Sequence, residues 1–77
     1  MNEKIKRQAL EKLVGKHQDE QVSLSLRITT PLSYEQITLL TGWGGVLLYD
    51  SGIMAIVTIP VSRTGELAEW ETVQEII

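Results

Sequence analysis

The spacing of hydrophobic positions changes several times along the chain, and each change marks an element. In residues 2–15, Ile5, Ala9, Leu10, Leu13 and Val14 recur with a helical period and make one apolar stripe. The spacing predicts an amphipathic helix over residues 2–14, with Asn2 as its cap, Glu3 and Arg7 as an i, i+4 pair, and Gly15 as its stop. A polar connector, KHQDEQ, follows. From Val22 to Thr29 the alternation is strict: Val22, Leu24, Leu26 and Ile28 share one face, and Ser23, Ser25, Arg27 and Thr29 share the other. That is the pattern of a half-buried strand. Pro31 ends the extended run. Ser33 and Gln36 then form a capping box for a short helix through Tyr34, Ile37, Leu40 and Thr41, closed at Gly42.

Residues 42–60, GWGGVLLYDSGIMAIVTIP, form a hairpin whose turn chemistry is supplied by Asp50, Ser51 and Gly52. A two-residue Ser51-Gly52 loop places Val46, Leu48, Ile53, Ala55, Val57 and Ile59 on one face and Leu47, Tyr49, Met54, Ile56 and Thr58 on the other. Both faces are apolar, which so short a chain can hardly cover. After Pro60 and a VSRTG loop, Leu67, Trp70, Val73 and Ile77 fall at helical spacing and predict a terminal helix. The β-branched residues of TVQEII, residues 72–77, leave a short closing strand as the competing reading.

These elements describe a single domain over residues 1–77, an α+β fold with a three-stranded, mainly antiparallel sheet and three helices in the order αβαββα. The βαββα core of residues 22–77 resembles the ferredoxin-like split βαβ arrangement found in ACT-type regulatory domains, without its last strand. The resemblance lies in element order alone and implies a fold, not an activity.

Composition narrows how such a domain stays folded. A 77-residue chain buries only about 60–65% of its unfolded surface. Small scaffolds compensate with disulfides, a structural metal or oligomerisation. With no cysteine and one histidine, disulfides are excluded and a zinc site nearly so, which leaves packing or self-association for a chain that is 43% apolar. No apolar run reaches membrane-spanning length. The charges scattered through MNEKIKRQALEKL do not match a secretory leader, so a cytoplasmic setting is expected. The net charge of −3 is unevenly spread: residues 1–32 hold six Lys or Arg against four acids, and residues 33–77 hold one Arg against six acids. That polarity can orient a partner or a second copy.

Candidate chemistry is sparse. Gly44 and Gly45, within Gly42-Trp43-Gly44-Gly45, could turn their amides toward an anion. No lysine or threonine follows at phosphate-loop spacing, and a helix C-cap followed by small residues that let Trp43 or a neighbouring helix approach closely is the plainer role. His17 stands in the polar connector beside Gln18, Asp19 and Glu20, with no nucleophile in sequence for it to activate. Asp19-Glu20 and the glutamates near Trp70 lack the alternating donors of a calcium loop. Lys4, Lys6, Arg7, Lys12 and Lys16 form a basic helix, but Glu3 and Glu11 interrupt it. The chain also has a pI near 5.0 and no phenylalanine to stack on bases, which argues against nucleic acid. Nothing calls for a cofactor or a metal.

Two surfaces remain. Trp70 among Glu66, Glu69 and Glu71 is either core or an aromatic anchor with an acidic rim for a protein partner. Leu47, Tyr49, Met54 and Ile56 form a face covered either by the N-terminal helix or by a second subunit, a homodimer. The expectation is a small, non-enzymatic accessory or regulatory protein acting through protein–protein contact. A small-ligand-binding regulatory module is the alternative.

Overall fold

The computed structural model describes residues 3–77. Its elements are α1 (Arg7–Leu13), β1 (Gln21–Ile28), α2 (Tyr34–Gly42), β2 (Val46–Asp50), β3 (Met54–Pro60), a 3-10 turn (Val61–Arg63), α3 (Thr64–Ala68) and β4 (Val73–Ile76). The four strands form one sheet in the order β2-β3-β1-β4, and every pair of neighbouring strands is antiparallel.

The sheet thus has four strands where three were expected. Residues 72–77 supply the fourth, taking the strand alternative in place of the favoured helix. Helix α3 stops at Ala68 with Glu69 as its C-cap, and Trp70 lies in the connection. β4 then hydrogen-bonds the free side of β1, a tertiary gain that outweighs the helix propensity of the glutamates. Val73 and Ile77, two of the residues at helical spacing, take different roles: Val73 is in the core and Ile77 pairs with Ser25. The register of β4 on β1 breaks so that Leu26 faces Ile76, Arg27 faces Glu75, and Ile28 faces Val73, leaving Gln74 unpaired. One extra residue turns a period of two into a spacing of three, and Val73 and Ile76 are both buried. After α1 the order is therefore β-α-β-β-α-β, the split βαβ arrangement with its last strand present.

β1 is the axis of the core. Val22, Leu24, Leu26 and Ile28 point to one side, where Ala55, Val57 and Ile59 of β3 and Val73 and Ile76 of β4 join them. All three helices pack on that side: α1 contributes Ala9, α2 Leu40, and α3 Leu67 and Ala68. Burying side chains of this size contributes roughly 1.5–3 kcal/mol each.

The N-terminal helix is shorter than its stripe predicts, beginning at Arg7 with Lys6 as N-cap. The expected cap, Asn2, lies outside the described residues. Just before α1, residues 4–6 pair with the end of β4. The Lys6 amide donates to the Ile76 carbonyl (2.9 Å), the Ile76 amide donates to the Lys4 carbonyl (2.8 Å), and Ile5 and Ile76 form a parallel bridge. This short addition covers the end of the β4 edge of the sheet.

Helix α2 opens with the expected capping box: the Gln36 amide donates to Ser33 Oγ (3.1 Å) and the Ser33 amide to Gln36 Oε1 (2.9 Å). It ends later than expected. Gly42 is helical, Trp43 is the C-cap, and Gly44 takes the left-handed conformation at φ +84°. The Gly44 amide donates to the Thr41 carbonyl and the Gly45 amide to the Leu40 carbonyl, both at 2.9 Å, which is the Schellman closure. Gly45 is buried where backbone and core meet.

The hairpin loop spans three residues, Ser51, Gly52 and Ile53, so Ile53 is exposed and not part of the core face. Asp50 holds the loop through both carboxylate oxygens. Oδ1 accepts from the Gly52 amide (2.8 Å), and Oδ2 accepts from the Leu32 amide (3.0 Å), tying the hairpin to the approach of α2.

A β-carbon on Gly45 would stand 2.7 Å from the Thr58 carbonyl oxygen and 2.9 Å from Leu40 Cδ2, while one on Gly42 meets nothing within 4 Å. Gly45→Ala is therefore expected to destabilise the fold by about 1–3 kcal/mol, the usual cost of overpacking. Gly42→Ala should be neutral or stabilising by up to about 1 kcal/mol. Urea denaturation of the two variants measures the difference. By the same method, Asp50→Ala should cost about 1–3 kcal/mol through the two amides it leaves without their acceptor.

Candidate functional site

Among the described residues, helices cover one side of the sheet and none lies on the other. Strand register arranges this open face in three rows. The middle row crosses the whole sheet: Tyr49 faces Ile56, Ile56 faces Ser25, and Ser25 exchanges two backbone hydrogen bonds with Ile77. On one side of it runs Val46, Thr58, Ser23, and on the other Met54, Arg27, Glu75.

The face is divided chemically along the strands. Its β2–β3 half is apolar, with Val46 52%, Tyr49 54% and Ile56 36% exposed. Its β1 half is polar. Ser23 Oγ and Thr58 Oγ1 hydrogen-bond at 2.9 Å, and Arg27 Nε stands 3.8 Å from Glu75 Oε1. That ion pair holds the only charged side chains in the three rows, so the side chains of the face carry no net charge. A shallow open depression at one end, toward the hairpin loop, is lined by Arg27, Ile28, Ile53, Met54 and Gln74.

Tyr49, Met54 and Ile56 share this face as expected, but Leu47 does not. Leu47 pairs with Val57 and packs against the core, while Val46 pairs with Thr58 and takes the outer side. The register breaks between Leu47 and Tyr49, leaving Leu48 without a partner on β3 and restoring the phase so that Tyr49 meets Ile56. The N-terminal helix, one of the two proposed covers, is excluded as cover for this face, because its buried Ala9 belongs to the core on the opposite side.

The two edges of the sheet also differ. β4 is paired at its end by the segment 4–6, while β2 is an edge with Leu48 59% exposed.

The other residues singled out by sequence lie elsewhere. The amides of Gly44 and Gly45 are both used by α2 carbonyls, which leaves neither for an anion. His17 is exposed in the connector, its backbone amide donating to Glu20 Oε1 at 3.4 Å. Trp70 is half-buried and stacks on Trp43 with ring centroids 5.5 Å apart, and the Arg63 guanidinium lies 5.7 Å from the Trp43 ring centroid. Arg63 also pairs with Glu66 at 2.6 Å, while Glu69 and Glu71 are exposed. Trp70 thus packs within the chain itself, against Trp43 and the core.

Among the described residues no group of three or more His, Asp or Glu side chains is placed to hold a metal ion, and no helix is long and apolar enough to cross a membrane. Comparison with family models, curated proteins and solved structures gives no match.

A paired substitution distinguishes the two faces of β3. Ile59→Ala, at a fully buried position, is expected to cost about 2–5 kcal/mol. Ile56→Ala, three residues earlier on the open face, should cost less than about 1 kcal/mol. Equal losses in chemical denaturation would show that the open face is packed.

Proposed function

We propose that this chain is a non-enzymatic accessory or regulatory protein that works through protein–protein contact and associates with itself as a homodimer. One observation carries the reading. Val46, Tyr49, Met54 and Ile56 gather on a sheet face that no helix among the described residues covers, while all three helices pack on the opposite face. A band of apolar side chains rimmed by hydroxyls and one ion pair has the composition of an interaction surface. Removal of its apolar area from water, at roughly 25 cal/mol per Å², is the driving force available to it.

The surface around Trp70 supports this reading less, because Trp70 is engaged with Trp43 and Glu66 with Arg63. Glu69 and Glu71 remain available to a second partner. The alternative of a ligand-binding regulatory module rested on the amides of Gly44 and Gly45, and these bond helix carbonyls. A cytoplasmic setting belongs to the proposal as well, and the lack of cysteine is compatible with it.

Sedimentation equilibrium across a micromolar to millimolar range is expected to give a mass rising toward twice 8.6 kDa. Met54→Glu should shift the transition to higher concentration, and Thr41→Glu, at an exposed position on α2, should leave it in place. A mass of one chain throughout would contradict the proposal.

A further inference from the structure

Two copies of the open face can meet in more than one way. Resting on the proposed self-association, we infer that the dimer is a sheet-on-sheet stack, each open face covering the other, about a two-fold axis that lies parallel to the sheets and across their strands.

Charge, area and pattern lead to this geometry. Self-contact places every charge of a surface opposite a copy of the same surface, so a patch of one sign repels itself. The open face avoids this: in a chain of net charge −3, its three rows contain one cationic and one anionic side chain, already paired with each other. A face without net side-chain charge suits a second copy of itself better than a charged partner.

Area favours the face over the edge. Four strands spaced about 4.8 Å apart are about 19 Å wide, and seven residues at about 3.3 Å each are about 23 Å long. The face is then roughly 440 Å² in projection, and more once side-chain relief is counted. The boundary between weak and standard interfaces lies near 600 Å² per partner. A reversible dimer is within reach of the face. The edge of β2 offers one strand of five residues, and its register break at Leu48 interrupts the ladder a second copy would have to extend.

The pattern fixes the axis. A two-fold axis along the strands would set the apolar β2–β3 half of one copy on the polar half of the other. An axis across the strands superposes β2 on β2, β3 on β3 and β1 on β1 of the second copy, so the apolar half meets the apolar half, Ser25 meets Ser25, and Thr58 comes over Met54. The middle row then lies over its own copy, bringing the two Ile56 side chains together near the centre. Arg27 at one end comes over Ser23 of the second copy, a hydroxyl able to accept from it. Stacked sheets of this kind sit about 10 Å apart and cross at about 30°.

The single chain is as compact as a free monomer. Its accessible surface of 4742 Å² is close to the roughly 4,700 Å² that a compact monomer of this mass exposes. Variants of the open face should therefore remain folded, which circular dichroism and a thermal melt verify before any association is measured.

The test uses opposite charges at one position. Ile56→Lys and Ile56→Glu, each alone, are expected to weaken association roughly tenfold or more, because each places like charges face to face in a desolvated contact. An equimolar mixture of the two should regain association to within a few-fold of the unsubstituted chain, as lysine and glutamate meet across the axis. Two folded, monomeric variants whose mixture stays monomeric would overturn the juxtaposition of the two Ile56 side chains. Persistent dimers of both, together with dissociation by Leu48→Glu, would replace the stack by edge pairing through β2 and leave self-association standing. An unsubstituted chain that is monomeric up to millimolar concentration would overturn both the stack and the reading beneath it.

Discussion

Burial on only one side of β1 is the constraint from which the rest of the structure follows. β1 is hydrogen-bonded on both flanks, to β3 and β4, and its inward residues Val22, Leu24, Leu26 and Ile28 are all buried. Its outward residues, Ser23, Ser25 and Arg27, need no cover. A chain of 77 residues has three short helices to spend on a four-stranded sheet, and the apolar side of the central strand attracts all of them. Whatever the outer strands present on the other side is left to water or to another molecule.

The outer strands do present something. β3 carries Met54 and Ile56 outward, and β2 adds Val46 and Tyr49, so the uncovered face is polar where β1 lies and apolar beyond it. Both edge strands are irregular, and the irregularities have different results. On β4 the unpaired Gln74 brings Val73 and Ile76 to the same side and completes the core. On β2 the unpaired Leu48 turns Leu47 inward and Tyr49 outward, enriching the open face in one large side chain and the core in another. Residues 4–6 pair with the end of β4, so of the sheet itself the open face and the β2 edge are the more accessible surfaces.

What could be read from sequence follows from where the chain keeps a regular period. β1 is legible residue for residue because its alternation is unbroken, and the Ser33/Gln36 capping box places the start of α2 correctly. Legibility fails wherever a tertiary contact inserts or redirects a residue. The stripe from Ile5 to Leu13 looks like one helix, yet Ile5 pairs with a strand sixty residues or more away in sequence and only the later part coils. Val73 and Ile77 fall at helical spacing, yet in the strand Val73 enters the core and Ile77 pairs with Ser25 on the open face. Leu47 was assigned to the wrong face because no local signal distinguishes a run of apolar residues with a bulge from one without. The glycines were legible as a turn, whereas the use of their amides depends on where α2 ends. Of the candidate site, Tyr49, Met54 and Ile56 were placed together correctly. Val46 and Ile77 joined them through register alone.

The central claim is that the uncovered sheet face is where this protein meets its own kind. Amide NMR spectra recorded on dilution from millimolar to low micromolar concentration address it without any substitution. The account predicts concentration-dependent shifts in β2, β3 and the middle of β1, with residues 66–71 and α1 unchanged. Shifts confined to residues 66–71, or spectra that do not change on dilution, would contradict it.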